Sequence, residues 1–133
     1  MAEGARKTIK KEKLLDRYKI IGGYFFQSIP KGADAYIMKY ITPDWSDDNV
    51  RIILQNCRES IAPDGKLIVV DKVISLKSGL NDEIMGDIEM MILGEGRERT
   101  ESEFRELFNS VGFKLTEIIP TDLPLFIIEG ECD

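Results

Sequence analysis

The chain has 133 residues, of which 43% are hydrophobic and 32% are charged, and its formal net charge at pH 7 is -6. This size and composition are typical of one soluble globular domain, residues 1–133, and exclude a disordered chain. The acidic balance argues against a nucleic-acid partner, and the absence of a long apolar run or a signal peptide predicts a cytoplasmic protein without membrane contact.

The first third of the chain predicts one helix and two strands. A lysine-rich helix extends from Ala5 to Leu15 with only a thin apolar stripe, and its basic side chains form a solvated face. Tyr18 to Phe26 begins as a strand-like run that Gly22-Gly23 interrupts. A second strand, Ala33 to Ile41, leads into the turn Thr42-Pro43-Asp44.

The middle of the chain alternates helix, strand and helix. Ser46 followed by two aspartates is a helix N-cap pattern, and apolar residues recur behind it at helical spacing as far as Ile61. Pro63-Asp64-Gly65 ends this helix. The continuous β-branched run from Lys66 to Asp71 is typical of a strand that helices cover on both faces, so a parallel α/β architecture is favoured. A third helix is marked by Ile84, Ile88, Met91 and Ile92.

The C-terminal third contains the strongest local signals. Thr100 and Glu103 form a capping box, and Gly112 ends the helix that they begin. Phe113 to Ile119 and Leu125 to Glu129 are two strands separated by a turn with a proline at each end. We expect them to form an antiparallel pair that closes the edge of the sheet.

The composition also limits the chemistry. The chain contains no histidine, so the commonest general base near neutral pH and the commonest metal ligand are both missing. Cys57 and Cys132 have neither metal-ligand nor redox spacing, and we interpret both as free thiols. Gly94-Glu95-Gly96 follows a helix instead of a strand, so it does not predict a nucleotide-binding loop.

Several blocks occur in an ordered series, namely GGYFF, GADAYIMKYITPDWSDD, GKLIVVD, GEGRERTESEF and SVGF. Together they resemble the C-terminal part of the plant and bacterial O-methyltransferases that use S-adenosylmethionine, over about Gly4 to Glu129. The resemblance implies a partial Rossmann-like α/β fold, whose sheet is mostly parallel with an antiparallel C-terminal strand pair and has helices on both faces. It also implies methyl transfer to a small-molecule hydroxyl.

The resemblance implies a set of cofactor contacts. Tyr24 stands where the family has an acid that binds the adenine amine, and Phe25 can stack on adenine or belong to a plain core. Lys39 ends a strand, where it contacts the cofactor or is simply solvated. Trp45 either walls the cofactor pocket or anchors the following helix to the sheet. The full implied set is Gly23, Tyr24, Phe25, Lys39 and Trp45.

The position of the family's catalytic base is occupied by Pro43, which has no proton acceptor on its side chain. The resemblance implies that Asp71 and Glu98 occupy the two acidic catalytic positions, Asp71 being shorter than the usual glutamate. An unperturbed carboxylate is a weak base toward a phenol or alcohol. We therefore do not expect either acid to replace the missing base.

The resemblance also places the acceptor site and identifies what is missing. Asp87, Met90 and Met91 lie on the helix that lines the family's acceptor pocket, although methionines fill cores equally well. The family's glycine-rich cofactor loop, its ribose-binding acid and its N-terminal helical domain are not found. The two absent strands belong between the strand at Tyr18 to Tyr24 and the strand at Ala33 to Ile41, so their loss leaves a gap in the sheet.

Two functions remain open from the sequence. The first is a truncated O-methyltransferase that is inactive as an isolated chain. The second is a non-catalytic module, or pseudoenzyme, that binds a partner chain through the retained half-site and an exposed sheet edge. Because an unpaired strand edge favours self-association, we expect a homodimer or a complex with a complete homologue.

Overall fold

A computed structural model describes residues 2–75 and 96–133. Within these residues the chain forms three helices, six strands and one short 3-10 turn. In chain order these are α1 Ala2–Lys11, β1 Ala35–Lys39, the 3-10 turn Thr42–Asp44, α2 Asp47–Ser60, β2 Lys66–Asp71, β3 Val73–Ile74, β4 Arg99–Thr100, α3 Glu101–Ser110, β5 Phe113–Pro120 and β6 Phe126–Cys132. Of the helices described, none is both long and apolar enough to cross a membrane.

The main sheet has four strands in the order β1-β2-β6-β5. β1 and β2 are parallel, whereas β6 is antiparallel to both of its neighbours, and β3 pairs with β4 in a separate parallel ribbon. The α/β class and the antiparallel C-terminal pair are therefore confirmed. Over the described residues the sheet is mixed instead of mostly parallel, because β6 enters it between β2 and β5. β5 has an irregular register between Leu115 and Glu117.

One core joins the main sheet to α2 and α3, whereas α1 buries no residue. α2 and α3 pack on the same face of the main sheet. The third predicted helix, marked by Ile84 to Ile92, lies outside the described residues. Phe108 of α3 stands over Gly130 of β6, where an added Cβ would lie 2.8 Å from the ring. The buried residues of this core are Val50, Leu54, Cys57, Ile61, Leu67, Val69, Phe104, Leu107, Phe108, Phe113, Leu115 and Ile128.

The helix starts follow the local signals. The Ser46 side chain caps α2 by accepting a hydrogen bond from the Asn49 amide at 3.4 Å. At α3 both halves of the capping box form, because Thr100 Oγ1 accepts from the Glu103 amide and Glu103 Oε2 accepts from the Thr100 amide. These contacts satisfy amides that have no partner within the helix, so each start is fixed by the sequence nearby.

The first predicted strand is wrong. The segment 18–24 is irregular, and Tyr18 and Ile21 are 56% and 54% exposed. β-branched and aromatic residues form a strand only where a neighbouring strand takes up their amides and carbonyls, and no described strand pairs with this segment. The preceding helix was predicted too far along the chain, since it ends at Lys11 and buries no residue.

Candidate functional site

The carboxyl ends of the parallel strands β1 and β2 bring the Pro43 turn beside Asp71. Asp71 is the last residue of β2 and is fully buried, and the side chains of Thr42 and Pro43 are buried in the 3-10 turn that follows β1. Thr42 Oγ1 donates a hydrogen bond of 2.6 Å to Asp71 Oδ2. The carboxyl ends of these two strands thus bring Pro43, the predicted base position, next to Asp71, the first predicted acid.

Burial changes the acidity of Asp71. Desolvation raises the pKa of this carboxyl to about 6, because a charged carboxylate loses its hydration inside the protein. The Thr42 hydroxyl, the backbone amides of Tyr40 and Thr42 and the charge of Arg99 act in the opposite direction and limit the rise. The side chain is closed off from solvent, so its position does not allow it to accept a proton from a bound molecule.

Arg99 holds the Pro43 turn in place. Its side chain is completely buried and forms an ion pair with Asp47 at the start of α2, with Nε 2.8 Å from Oδ1. Its Nη1 donates to the Thr42 carbonyl at 2.7 Å and its Nη2 to the Trp45 carbonyl at 2.9 Å. Sequence reasoning missed Arg99, because an arginine just before a helix cap gives no signal of burial.

The segment around Glu98 closes over the other side of the turn. Glu98 is 5% exposed, and its Oε1 lies 3.2 Å from Lys72 Nζ. Gly96 packs directly on the Pro43 backbone, since an added Cβ would lie 1.9 Å from the Pro43 carbonyl oxygen. The structure therefore gathers Pro43, Asp71 and Glu98 into one buried neighbourhood.

Four of the five predicted cofactor residues line a cavity of about 630 Å³ beside β1. They are Gly23, Tyr24, Phe25 and Lys39, and the remaining wall comes from β1, from α2 and from the segment 21–30. Among the described residues of this lining, Lys39 is the one that is charged, and no described acid faces the cavity. S-adenosylmethionine carries a positive sulfonium, so the described residues do not by themselves fit the cofactor.

Trp45 belongs to an aromatic cluster and not to this cavity. Its ring lies edge-on to Phe26 at 4.7 Å and to Phe25 at 6.3 Å between centroids. The Phe25 carbonyl is in turn fixed by the Asn56 side chain at 2.8 Å. Trp45 therefore anchors the segment 24–26 to the start of α2. The predicted acceptor residues Asp87, Met90 and Met91 lie outside the described residues.

The raised pKa of Asp71 predicts a pH dependence of stability. The folded carboxyl binds its proton more tightly than an unfolded aspartate, whose pKa is about 3.9, so stability falls as pH rises from about 4 through about 6. The loss is on the order of 3 kcal/mol, at about 1.4 kcal/mol for each pKa unit. No histidine complicates this range. We expect Asp71→Asn to remove the decline in urea-unfolding free energies measured between pH 4 and 7.

A second variant tests the cause of this decline. Thr42→Val removes the hydroxyl that favours the charged carboxylate, so the decline should extend to higher pH. If the unfolding free energies of the unmodified chain and of Asp71→Asn change equally with pH between 4 and 7, the assignment to Asp71 is wrong.

Comparison with known proteins shows which family this chain resembles in sequence and fold. Residues 1–114 match the family described as the O-methyltransferase domain. The chain is 35% identical to the mitomycin biosynthesis 6-O-methyltransferase of Streptomyces lavendulae over 130 residues. The aligned residues are 97% of this chain and 37% of that relative. The solved mitomycin 7-O-methyltransferase superimposes with a TM-score of 0.92 at 34% identity, over 99% of this chain and 39% of that chain.

A further solved structure contains the cofactor. An O-methyltransferase from neocarzinostatin biosynthesis, in complex with S-adenosylmethionine and 2-hydroxy-5-methyl naphthoic acid, has a TM-score of 0.88 at 26% identity. The superposition covers 99% of this chain and 38% of the neocarzinostatin enzyme. These neighbours confirm the Rossmann-like methyltransferase fold, and the chain spans 37–39% of the length of the proteins that it matches.

Proposed function

This chain belongs to the family of O-methyltransferase domains, and from that premise we propose that it is the C-terminal part of a class I methyltransferase domain. The complete domain transfers a methyl group from S-adenosylmethionine to the hydroxyl of a small molecule, and this chain by itself is inactive. The family match and the shared fold support the first statement. Pro43, which stands at the position of the catalytic base, carries the second.

Among the described residues, the surroundings of Pro43 offer no substitute base. Asp71 is fully buried against Thr42, and Glu98 is almost fully buried beside Lys72. Neither acid lines the cavity that holds the predicted cofactor residues. A general base must come within hydrogen-bond distance of the proton that it removes. The described residues therefore support retention of the fold without retention of the proton-transfer step.

The second candidate function is a non-catalytic module that binds a partner chain. β1 has no partner on its outer side among the described strands, and Ile37 of this strand is 69% exposed. A sheet edge with an exposed apolar residue favours pairing with another chain. The partner in this proposal is a second copy or a complete homologue, in the cytoplasm and without nucleic acid or membrane.

Titration calorimetry with S-adenosylmethionine tests the proposal. We expect the isolated chain to give no binding heat at micromolar concentrations, because the described residues of its cavity offer a lysine and no acid to a cationic ligand. The full-length mitomycin 6-O-methyltransferase serves as the positive control. Binding by the isolated chain with a micromolar Kd would show that the cofactor site is complete and would overturn this part of the proposal.

A further inference from the structure

The cavity beside β1 is apolar at its buried end and carries a charge at its exposed end. Ile53 and Cys57 of α2 belong to its wall and are 3% and 1% exposed, whereas Lys39 at the end of β1 is exposed. The volume of about 630 Å³ lies within the range of roughly 300–1,000 Å³ that is typical of small-molecule sites. A ligand here therefore meets apolar side chains at one end and an ammonium group at the other.

Aromatic rings form part of the same wall. Tyr24 and Phe25 stack with 6.3 Å between their centroids and 26° between their planes, and they are 57% and 36% exposed. The Tyr36 hydroxyl donates a hydrogen bond to the Pro30 carbonyl, which fixes the third ring. Rings attract one another in stacked and edge-on arrangements, and a flat ligand can use both. The wall thus favours an aromatic ligand over a flexible chain.

Lys39 has no ion-pair partner in the described part of the chain. Its Nζ instead lies 5.5 Å from the centroid of the Tyr40 ring. Tyr40 has a φ of 56°, a left-handed conformation that is unfavourable for a residue with a side chain and that recurs at ligand sites. A lysine without a carboxylate beside it repels a sulfonium and attracts an anion. Charge therefore identifies the head group of the ligand as negative.

We propose that this cavity binds a flat aromatic carboxylate, with the ring at the apolar end and the carboxylate beside Lys39. The ligand occupies the place of the predicted cofactor but has the opposite charge, so the inference does not rest on the proposed methyl transfer. A neutral aromatic molecule leaves Lys39 without a counter-ion, and an aliphatic carboxylate makes no ring contacts with Tyr24 and Phe25. The aromatic anion is the class that uses both features of the wall.

Titration calorimetry of this chain with three matched biphenyl compounds tests the proposal. Biphenyl-4-carboxylate should bind with a Kd of about 100 µM or below, which is within reach of a ligand of this size. The neutral biphenyl-4-carboxamide should bind about three- to fivefold more weakly, because exposed ion pairs are of modest strength. The cationic biphenyl-4-ylmethylammonium should bind most weakly of the three. Raising sodium chloride from about 50 mM to about 500 mM should remove most of these differences, since salt screens an exposed lysine.

Variants at two exposed positions probe the charge without disturbing the fold. Lys39→Met keeps the apolar stem and removes the ammonium group, so it should weaken the carboxylate about three- to fivefold and leave the carboxamide unchanged. Tyr24→Asp adds a negative charge to the wall and should reverse the order, so that the methylammonium compound binds more tightly than the carboxylate. The matched control Tyr24→Phe keeps the ring and should preserve the original order.

The position of the bound compound is measured by NMR. Biphenyl-4-carboxylate should shift the backbone amide signals of Tyr36 and Met38, which line the cavity, and leave that of Leu123 unchanged. Absence of saturable binding, equal affinity for the three compounds, or shifts confined to residues away from the cavity would overturn the inference. An equal loss of carboxylate and carboxamide binding in Lys39→Met would overturn it too. Binding of S-adenosylmethionine is a separate titration, and its outcome bears on the proposed function alone.

Discussion

Replacing Arg99 by methionine should lower the free energy of unfolding by about 2–4 kcal/mol, because a buried acceptor that loses its donor costs about 1–3 kcal/mol and a partly buried acceptor costs less. The substitution leaves Asp47 without its buried partner and strips the Thr42 and Trp45 carbonyls of their donors. The turn that carries Pro43 should then loosen. Urea unfolding gives the stability change, and faster amide exchange at residues 42–45 reports the turn.

Arg97→Met is the matched control for this substitution. Arg97 also contacts Asp47, at 3.0 Å, but about a third of its side chain is exposed, and its second partner Glu103 is exposed to a similar extent. Ion pairs in such positions contribute roughly 0–1 kcal/mol. Equal losses for Arg97 and Arg99 would contradict the role that we assign to the buried guanidinium.

Phe108→Ala should cost about 3–5 kcal/mol of stability, because it removes a fully buried ring and leaves a cavity between α3 and β6. Gly130→Ala should also destabilise the chain, by about 1–3 kcal/mol, since the new methyl group meets the Phe108 ring at 2.8 Å. In the double variant the methyl group enters space that the ring has left. The cost of Gly130→Ala should therefore shrink, although the Lys114 carbonyl oxygen remains 3.3 Å from the new methyl group.

The four proteins of this cycle give the coupling energy directly. We expect a coupling of at least about 1 kcal/mol between the two positions, because contacting residues depart from additivity. Leu123→Ala, at a side chain that is 63% exposed, serves as the control and should change stability by less than about 0.5 kcal/mol. Strict additivity of Phe108→Ala and Gly130→Ala would show that the two residues are not in contact.

The predictable parts of the fold are those with local causes. The Ser46 cap, the capping box at Thr100 and the β-branched run of β2 each act within a few residues, and all three are confirmed. The segment from Tyr18 to Phe26 has equally good strand residues but no strand beside it in the part of the chain described. A strand forms only beside a second strand, and the sequence of this segment does not show whether such a strand is present.

The candidate site divides along the same line. The resemblance identified Pro43, Asp71 and Glu98, and the fold brings these positions together. It also named four of the residues that line the cavity, whereas the fifth residue of its predicted cofactor set, Trp45, lies against Phe26 instead. The role of Arg99 was not predictable, because its side chain contacts the turn at Thr42, more than fifty residues away in the chain. The burial of Asp71 was not predictable either, because it depends on how the Thr42 turn packs against the end of β2.

The register irregularity in β5 makes the two ends of the sheet unequal. β5 forms the edge opposite β1, and between Leu115 and Glu117 its backbone departs from the regular repeat that an added strand needs. Charged residues on this strand hinder stacking further. The sheet therefore has one edge, that of β1, to which a further strand can pair. Association through its strands ends with a single partner, and raising the concentration should give a discrete pair instead of a growing fibre.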